Sequence, residues 1–333
     1  MTAPPVAVTR RGGLPAGVRN PWLVFLGRRF ARLVVSLAVL VTLAFLMIHL
    51  VPGDPVRAAL GLTAPAELVE ARRESLGLND PLIVQYGNYL SGLFRGDLGV
   101  SMTSGVPVVD TIGQRLPASA SLGLSAFVVI MVSAIPLGLA MAVLTRGGRR
   151  RGVELGFTST SAMIAAIPEF LLAVGLIFVF AVTLGWLPVA GRGGLDSYLL
   201  PVLALSAGPT LVIARIVRVE ALAVFGQDFV RTARAKRLPP WRVYFRHAFP
   251  NALTSTLTIG GLLLGSMIVG TVLVENVFAW PGMGMTIVQS ILAKDYPLVQ
   301  AAVLVYGLAV LLVNLMVDLL LAVVDPRSTI REA

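Results

Sequence analysis

Gly226-Gln227-Asp228-Phe229-Val230-Arg231-Thr232-Ala233-Arg234-Ala235-Lys236-Arg237-Leu238-Pro239-Pro240-Trp241-Arg242-Val243-Tyr244-Phe245-Arg246-His247-Ala248-Phe249-Pro250-Asn251 is the longest polar interruption in the second half of an otherwise apolar chain. It sets Arg231, Arg234, Lys236, Arg237, Arg242 and Arg246 against one carboxylate, Asp228. Apolar runs long enough to cross a bilayer flank it, Tyr198 to Val219 before and Ala252 to Val274 after. Basic residues close to the ends of spans are retained on the cytoplasmic side, so this stretch reads as a cytoplasmic loop. It decides both the fold class, an all-α polytopic membrane protein, and the direction in which the chain is threaded.

The rest of the charge agrees. Arg10, Arg11, Arg19, Arg28, Arg29 and Arg32 precede the first apolar run, four Arg lie between Arg146 and Arg151, eight Lys or Arg lie between Arg215 and Arg246, and Arg327 and Arg331 follow the last run. Alternate loops thus hold 20 of the 27 basic residues, which places both termini in the cytoplasm. With 56% hydrophobic and 13% charged residues, the chain is far from soluble composition, and its net charge of +10 is a matter of topology, not of nucleic-acid binding. The absence of Cys excludes disulfides and thiolate chemistry.

Read in order, residues 1–27 form a disordered basic tail, 28–51 the first transmembrane helix, and 52–116 a small external subdomain with five Arg and seven Asp or Glu. Within that subdomain, Ala66 to Leu76 reads as a charged helix, and Leu82, Tyr86, Tyr89, Leu90 and Leu93 recur at helical spacing as a second. Residues 117–327 are a core of five more helices, and 328–333 a C-terminal tail. The spans expected in the core are Leu122 to Leu144, Thr158 to Leu184, Tyr198 to Val219, Ala252 to Val274 and Val299 to Val324, with the cytoplasmic loop at 220–250 and an external loop from Glu275 to Leu298. Glu169, Asn314 and Asp318 fall inside spans, where polar groups face the bundle interior and are candidates to line a translocation path. For Glu169 a packing carboxyl is the equal alternative. His49, near the outer end of the first span, is far from His247 and reads as a packing residue.

No Gly-x-x-x-x-Gly-Lys-Ser/Thr phosphate loop occurs, nor any His-Glu-x-x-His or Gly-x-Ser-x-Gly motif. The chain is accordingly not expected to be catalytic or to bind a cofactor. Val230 to Lys236 reads as a short helix whose small residues Ala233 and Ala235 suit a partner's groove, with charged anchors at Arg231, Arg234 and Lys236.

Thr232-Ala233-Arg234-Ala235-Lys236 with Leu238 and Arg246-His247-Ala248 resembles the coupling loop of binding-protein-dependent ABC importer permeases, nearest the dipeptide, oligopeptide and nickel subfamily. The resemblance extends through Pro52-Gly53-Asp54-Pro55, Leu76-Gly77-Leu78-Asn79-Asp80-Pro81, Gly96-Asp97-Leu98-Gly99, Arg115-Leu116-Pro117, Glu275 with Phe278 and Pro281-Gly282-Met283-Gly284, Asp295-Tyr296-Pro297 and Asp325-Pro326-Arg327. It implies six transmembrane helices with an external scoop after the first, and a coupling element of Val230, Arg231, Thr232, Ala233, Arg234, Ala235, Lys236, Arg237 and Leu238. It further implies a cytoplasmic ATPase partner holding ATP and magnesium, a second homologous permease, an external substrate-binding protein, and a bacterial inner-membrane location amid lipid. Peptide is the substrate class it implies, with nickel or another metal complex the same-family alternative and a stand-alone secondary transporter or channel the alternative of another class. Relatives usually carry Gly where this chain has Arg237, so helix termination is expected to fall to Pro239 and Pro240.

Overall fold

The computed structural model describes residues 21–50, 55–61, 63–75, 77–237, 239, 242, 243, 260, 261, 263–265, 267 and 270–324. The tail at 1–20, Leu238, most of the expected span at 252–274, and 325–333 lie outside them. Eleven helices are followed here in chain order.

α1 (Pro21–Leu50) is a single 30-residue helix. It starts before Arg28, so Pro21 to Gly27, read above as tail, belong to the first helix. The external subdomain follows as α2 (Pro55–Leu60), α3 (Ala66–Ser75) and α4 (Leu82–Phe94), the last two matching the two helices expected there. α5 (Val108–Thr145) runs unbroken for 38 residues although it contains Pro117 and Pro136. Its first turns lie in the segment read as external, so the subdomain and the second span share one rod.

The expected third span is not one helix. α6 (Arg151–Ala165) and α7 (Glu169–Leu176) meet at a bend of 92°. The cause is Pro168: the residue before a proline is driven out of the helical region, so α6 stops at Ala165, short of Ile167, and Pro168 stands at the N-cap of α7. α7 then widens into a π-helical stretch, Ile177–Thr183, where the Leu184 amide bonds the Val179 carbonyl five residues back at 3.0 Å. α8 (Asp196–Phe225) and α9 (Asp228–Ala235) follow, then α10 (Met283–Leu292) and α11 (Tyr296–Val324). α10 lies in the segment expected to be an external loop. Among the described residues, four helices are long and apolar enough to cross a membrane, and the bent α6–α7 pair makes up to five.

The core is the α5–α8 pair. Ala118, Leu122, Ala126, Ile130 and Ala134 recur every four residues along α5 and are buried against Ala204, Leu205, Ile213, Ala214 and Val217 of α8. Such a ridge of small and apolar residues lets helices pack closely where lipid supplies no hydrophobic drive. At Gly138 an added Cβ would stand 2.5 Å from the Ala214 carbonyl, so only glycine permits the contact. α1 packs on α11 by the same device, with Leu40 lying 2.5 Å from where a Cβ of Gly307 would be. The start of α5 packs on α10 and α11 through Val108, Ile112, Met283, Ala302 and Tyr306.

Candidate functional site

α9 stands at the end of the bundle that also holds Arg146 to Arg151. Val230 and Ala233 turn inward and are buried with Val243 against Val224 of α8. Phe229, Thr232, Ala235 and Lys236 face outward, and Phe229 is 43% exposed. Ala233 is therefore taken up by the chain's own packing, and of the two alanines expected to enter a partner's groove only Ala235 is accessible. Arg231 stands 3.7 Å from Asp228 in an exposed pair that contributes little to stability. Arg234 lies within the helix, and Leu238 falls outside the described residues. Arg237 adopts φ 54°, the left-handed conformation that glycine would supply, so the helix terminates at this residue itself and not at Pro239.

α9 is mechanically joined to the bundle. Its anchor Val224 adjoins Phe225, which is buried with Ala142 and Ala221 and lies beneath the Arg146 guanidinium, 5.8 Å from its ring centre. About two turns back along α8, Arg218 makes a 2.6 Å ion pair with Glu154 of α6 and donates to Thr145 Oγ1 at 3.0 Å. Arg218 thus ties the ends of α5, α6 and α8 together. Only its placement in space marks it out; in sequence it is one more loop-proximal arginine.

The three intramembrane candidates are not gathered into one site. Glu169 opens α7 at the 92° bend, and its Oε2 would meet a Cβ of Gly270 at 3.2 Å. Asn314 of α11 faces Gly265, its Oδ1 lying 3.0 Å from where a Cβ there would be. Asp318 pairs with Arg29 of α1 at 2.5 Å, away from the α5–α8 core. Asp318 therefore clamps the first helix to the last through this ion pair. Arg29 also lies over the Phe25 ring at 5.5 Å.

The opposite end is knit from the loop before α10. Trp280, fully buried, donates its indole N–H to the Ala118 carbonyl at 3.0 Å and meets Tyr198 edge-on at 4.6 Å. Glu275, also fully buried, accepts from the Gly284 amide at 2.7 Å and the Met285 amide at 3.3 Å, capping α10 with a carboxylate. Burial pushes the Glu275 carboxyl up from its ordinary value, against the pull of hydrogen bonds from Ser119, Gly284, Met285 and Thr271. Gly284 is required by geometry, since a Cβ would stand 2.5 Å from the Val272 Cα. α10 ends with Lys294 at φ 57° and the Asp295 amide bonded to the Ser290 carbonyl at 2.9 Å. That turn aims the buried Asp295 at the subdomain, where it accepts from Ser101 Oγ, from the Met102 amide at 3.0 Å and from Thr103 Oγ1 at 2.8 Å. His49 is engaged with Gln85 at 3.1 Å and with the Phe45 carbonyl at 3.2 Å, as a packing residue.

A helical bundle with a braced amphipathic helix at its basic end and a folded hood at the other defines a membrane-embedded permease. The family is shown by comparison: the chain belongs to the binding-protein-dependent transport system inner membrane components, whose model matches residues 134–330, with the N-terminal component of the same systems matching 22–123. It is a permease of the ABC importer type. It is 39% identical over 308 residues to a protein of Brucella suis biovar 1 named as a peptide transport system permease, covering 90% of this chain and 97% of that one. It is 37% identical over 299 residues to the glutathione transport system permease protein GsiC of Escherichia coli O6:H1, covering 90% and 96%. The fold is shared with the MetNI methionine ABC transporter at a TM-score of 0.53 and 18% identity, covering 64% of this chain and 96% of that one.

Proposed function

We propose that this permease carries small peptides or peptide-like solutes into the cytoplasm across the bacterial inner membrane, by alternating access powered by an ATPase docked on α9. The observation that carries the reading is the two-sided nature of α9: Val230 and Ala233 root it in the bundle while Phe229 and Ala235 present an apolar surface outward. A helix held this way passes a push from a groove on a partner to α8 and, through Arg218, to α5 and α6. ATP and magnesium belong to that partner; this chain holds no cofactor. A second, homologous permease completes the pathway, and an external binding protein delivers solute to the hood. Peptide is favoured because the relatives are named for peptide and for glutathione, itself a small peptide. Six spans with both termini inside, and Glu169, Asn314 and Asp318 along the path, complete the reading.

The test is uptake and ATP hydrolysis in proteoliposomes holding the complete transporter at matched insertion. Ala235→Glu places a charge where docking must desolvate it, and Phe229→Ala removes an aromatic anchor; each is expected to lower coupled uptake about tenfold or more. Normal uptake in both variants would remove α9 from the docking surface.

A further inference from the structure

Between α1, α4 and α11, outside the α5–α8 core, two cavities lie one above the other. The first, about 200 Å³, is bordered by His49 of α1, by Gln85, Asn88 and Tyr89 of α4, and by Gln300 of α11. The second, about 380 Å³, is bordered by Leu37 and Val41 of α1, Leu93 of α4, and Leu304 and Leu308 of α11. Along each long helix the apolar cavity begins one to two turns further from the hood, so together they make one groove, polar at the hood and apolar towards mid-membrane. Among the described residues, no lining residue of either is an acid, a lysine or an arginine. Tyr89 Oη is buried beside Gln300 and, among the described residues, meets no partner in hydrogen-bonding geometry, and burial pushes its phenol up from the ordinary value. The apolar cavity opens at the molecular surface through its own lining, with Phe94 90% and Leu308 37% exposed, and Leu312 one turn further along α11 is 47% exposed.

We infer that this groove is a resident lipid site: one acyl chain of a membrane glycerolipid lies between α1 and α11 beneath α4, and its ester region hydrogen-bonds Tyr89 and Gln300. The polarity gradient runs as that of a lipid does, from carbonyl oxygens to methylenes. Tyr89 can donate to an ester carbonyl, which has no proton of its own to offer. A helix from a partner fits the space poorly, because one helical turn with side chains, about 10 Å across and 5.4 Å tall, already fills roughly 400 Å³ and would need to continue at both ends. The neutral lining does not select for an anionic headgroup. Gly307 seats Leu40 against α11, which fixes the spacing of the two helices beside the cavity that Leu37 and Val41 line.

The probe is phosphatidylethanolamine with a photoactivatable diazirine in its acyl chain, reconstituted with the full-length chain and, separately, with the assembled transporter. Labelling mapped by peptide mass spectrometry should concentrate on Leu93, Leu304 and Leu308 in both preparations, well above the exposed α5 positions Leu124 and Val132. Leu304→Trp should abolish the enrichment by filling the cleft. Leu93→Trp does so from α4, so a folding failure of the first variant leaves the second. Tyr89→Phe should lower it roughly fivefold, the worth of one hydrogen bond. Equal labelling at Leu124 and Val132 would mean bulk lipid only and overturn the site. Enrichment that vanishes in the assembled transporter would overturn it in favour of a partner's helix.

Discussion

Glu275 is the residue on which the hood end turns, because one carboxylate serves the first amides of α10 from a position without solvent. Removing it with Glu275→Ala leaves two amides unmet in a buried place, which costs on the order of 3 kcal/mol and should appear as a clear drop in melting temperature. Glu275→Gln keeps an acceptor for them and should fold. The pH dependence separates the two effects. Burial raises the Glu275 pKa in the folded chain, so its contribution to stability is fully present below the ordinary carboxylate range and is lost as pH rises through the raised value. Melting temperature of the parent should therefore fall over that window while that of Glu275→Gln stays flatter; parallel pH profiles would mean that Glu275 does not titrate there. None of this geometry could be read in sequence. Glu275, Gly282 and Gly284 stood out only as part of a family pattern, since the contacts of Glu275 with Ser119 and Tyr306 are made across long stretches of chain.

Elements were legible where periodicity had room to show itself. The charged α3 and the apolar stripe of α4 were read correctly, because each fits a complete helix between turn residues. The α6–α7 corner was missed: an unbroken apolar run looks alike whether Pro168 kinks a helix or ends it, and the decision rests on neighbours that sequence does not display. α10 was missed because its ten residues are too short for a span and begin among glycines and a proline. At α9 the helix was foreseen but not which side is buried. Its end supplies a further test. Arg237 holds a left-handed conformation that costs a non-glycine residue about 1 kcal/mol, so Arg237→Gly should stabilise the end of α9 by about that amount. Hydrogen exchange at the Ala235 and Lys236 amides should slow severalfold; faster exchange would show that the arginine side chain contributes more than its backbone strain removes.

The whole molecule has two chemically distinct ends, and the proposed topology sets them on opposite sides of the membrane. Reporter fusions after Gly147 and Pro240 should score as cytoplasmic and those after Thr63 and Arg192 as external, since 20 of the 27 basic residues lie in alternate loops. An external score at Pro240 would reverse the direction of transport proposed here. Fold class and family-level function were visible from composition and the ordered motifs; the clamps at Asp295, Arg218 and Asp318 were not, because each joins segments far apart in the chain. One dimension ties the ends together. The 38 residues of α5 make a rod about 57 Å long, against about 45 Å for a bilayer with its headgroups. A tilt of about 10° around its middle swings each tip through roughly 5 Å in opposite senses, so a displacement at the end beside α9 would arrive at the hood as an equal and opposite stroke, with no message passed along the residues between.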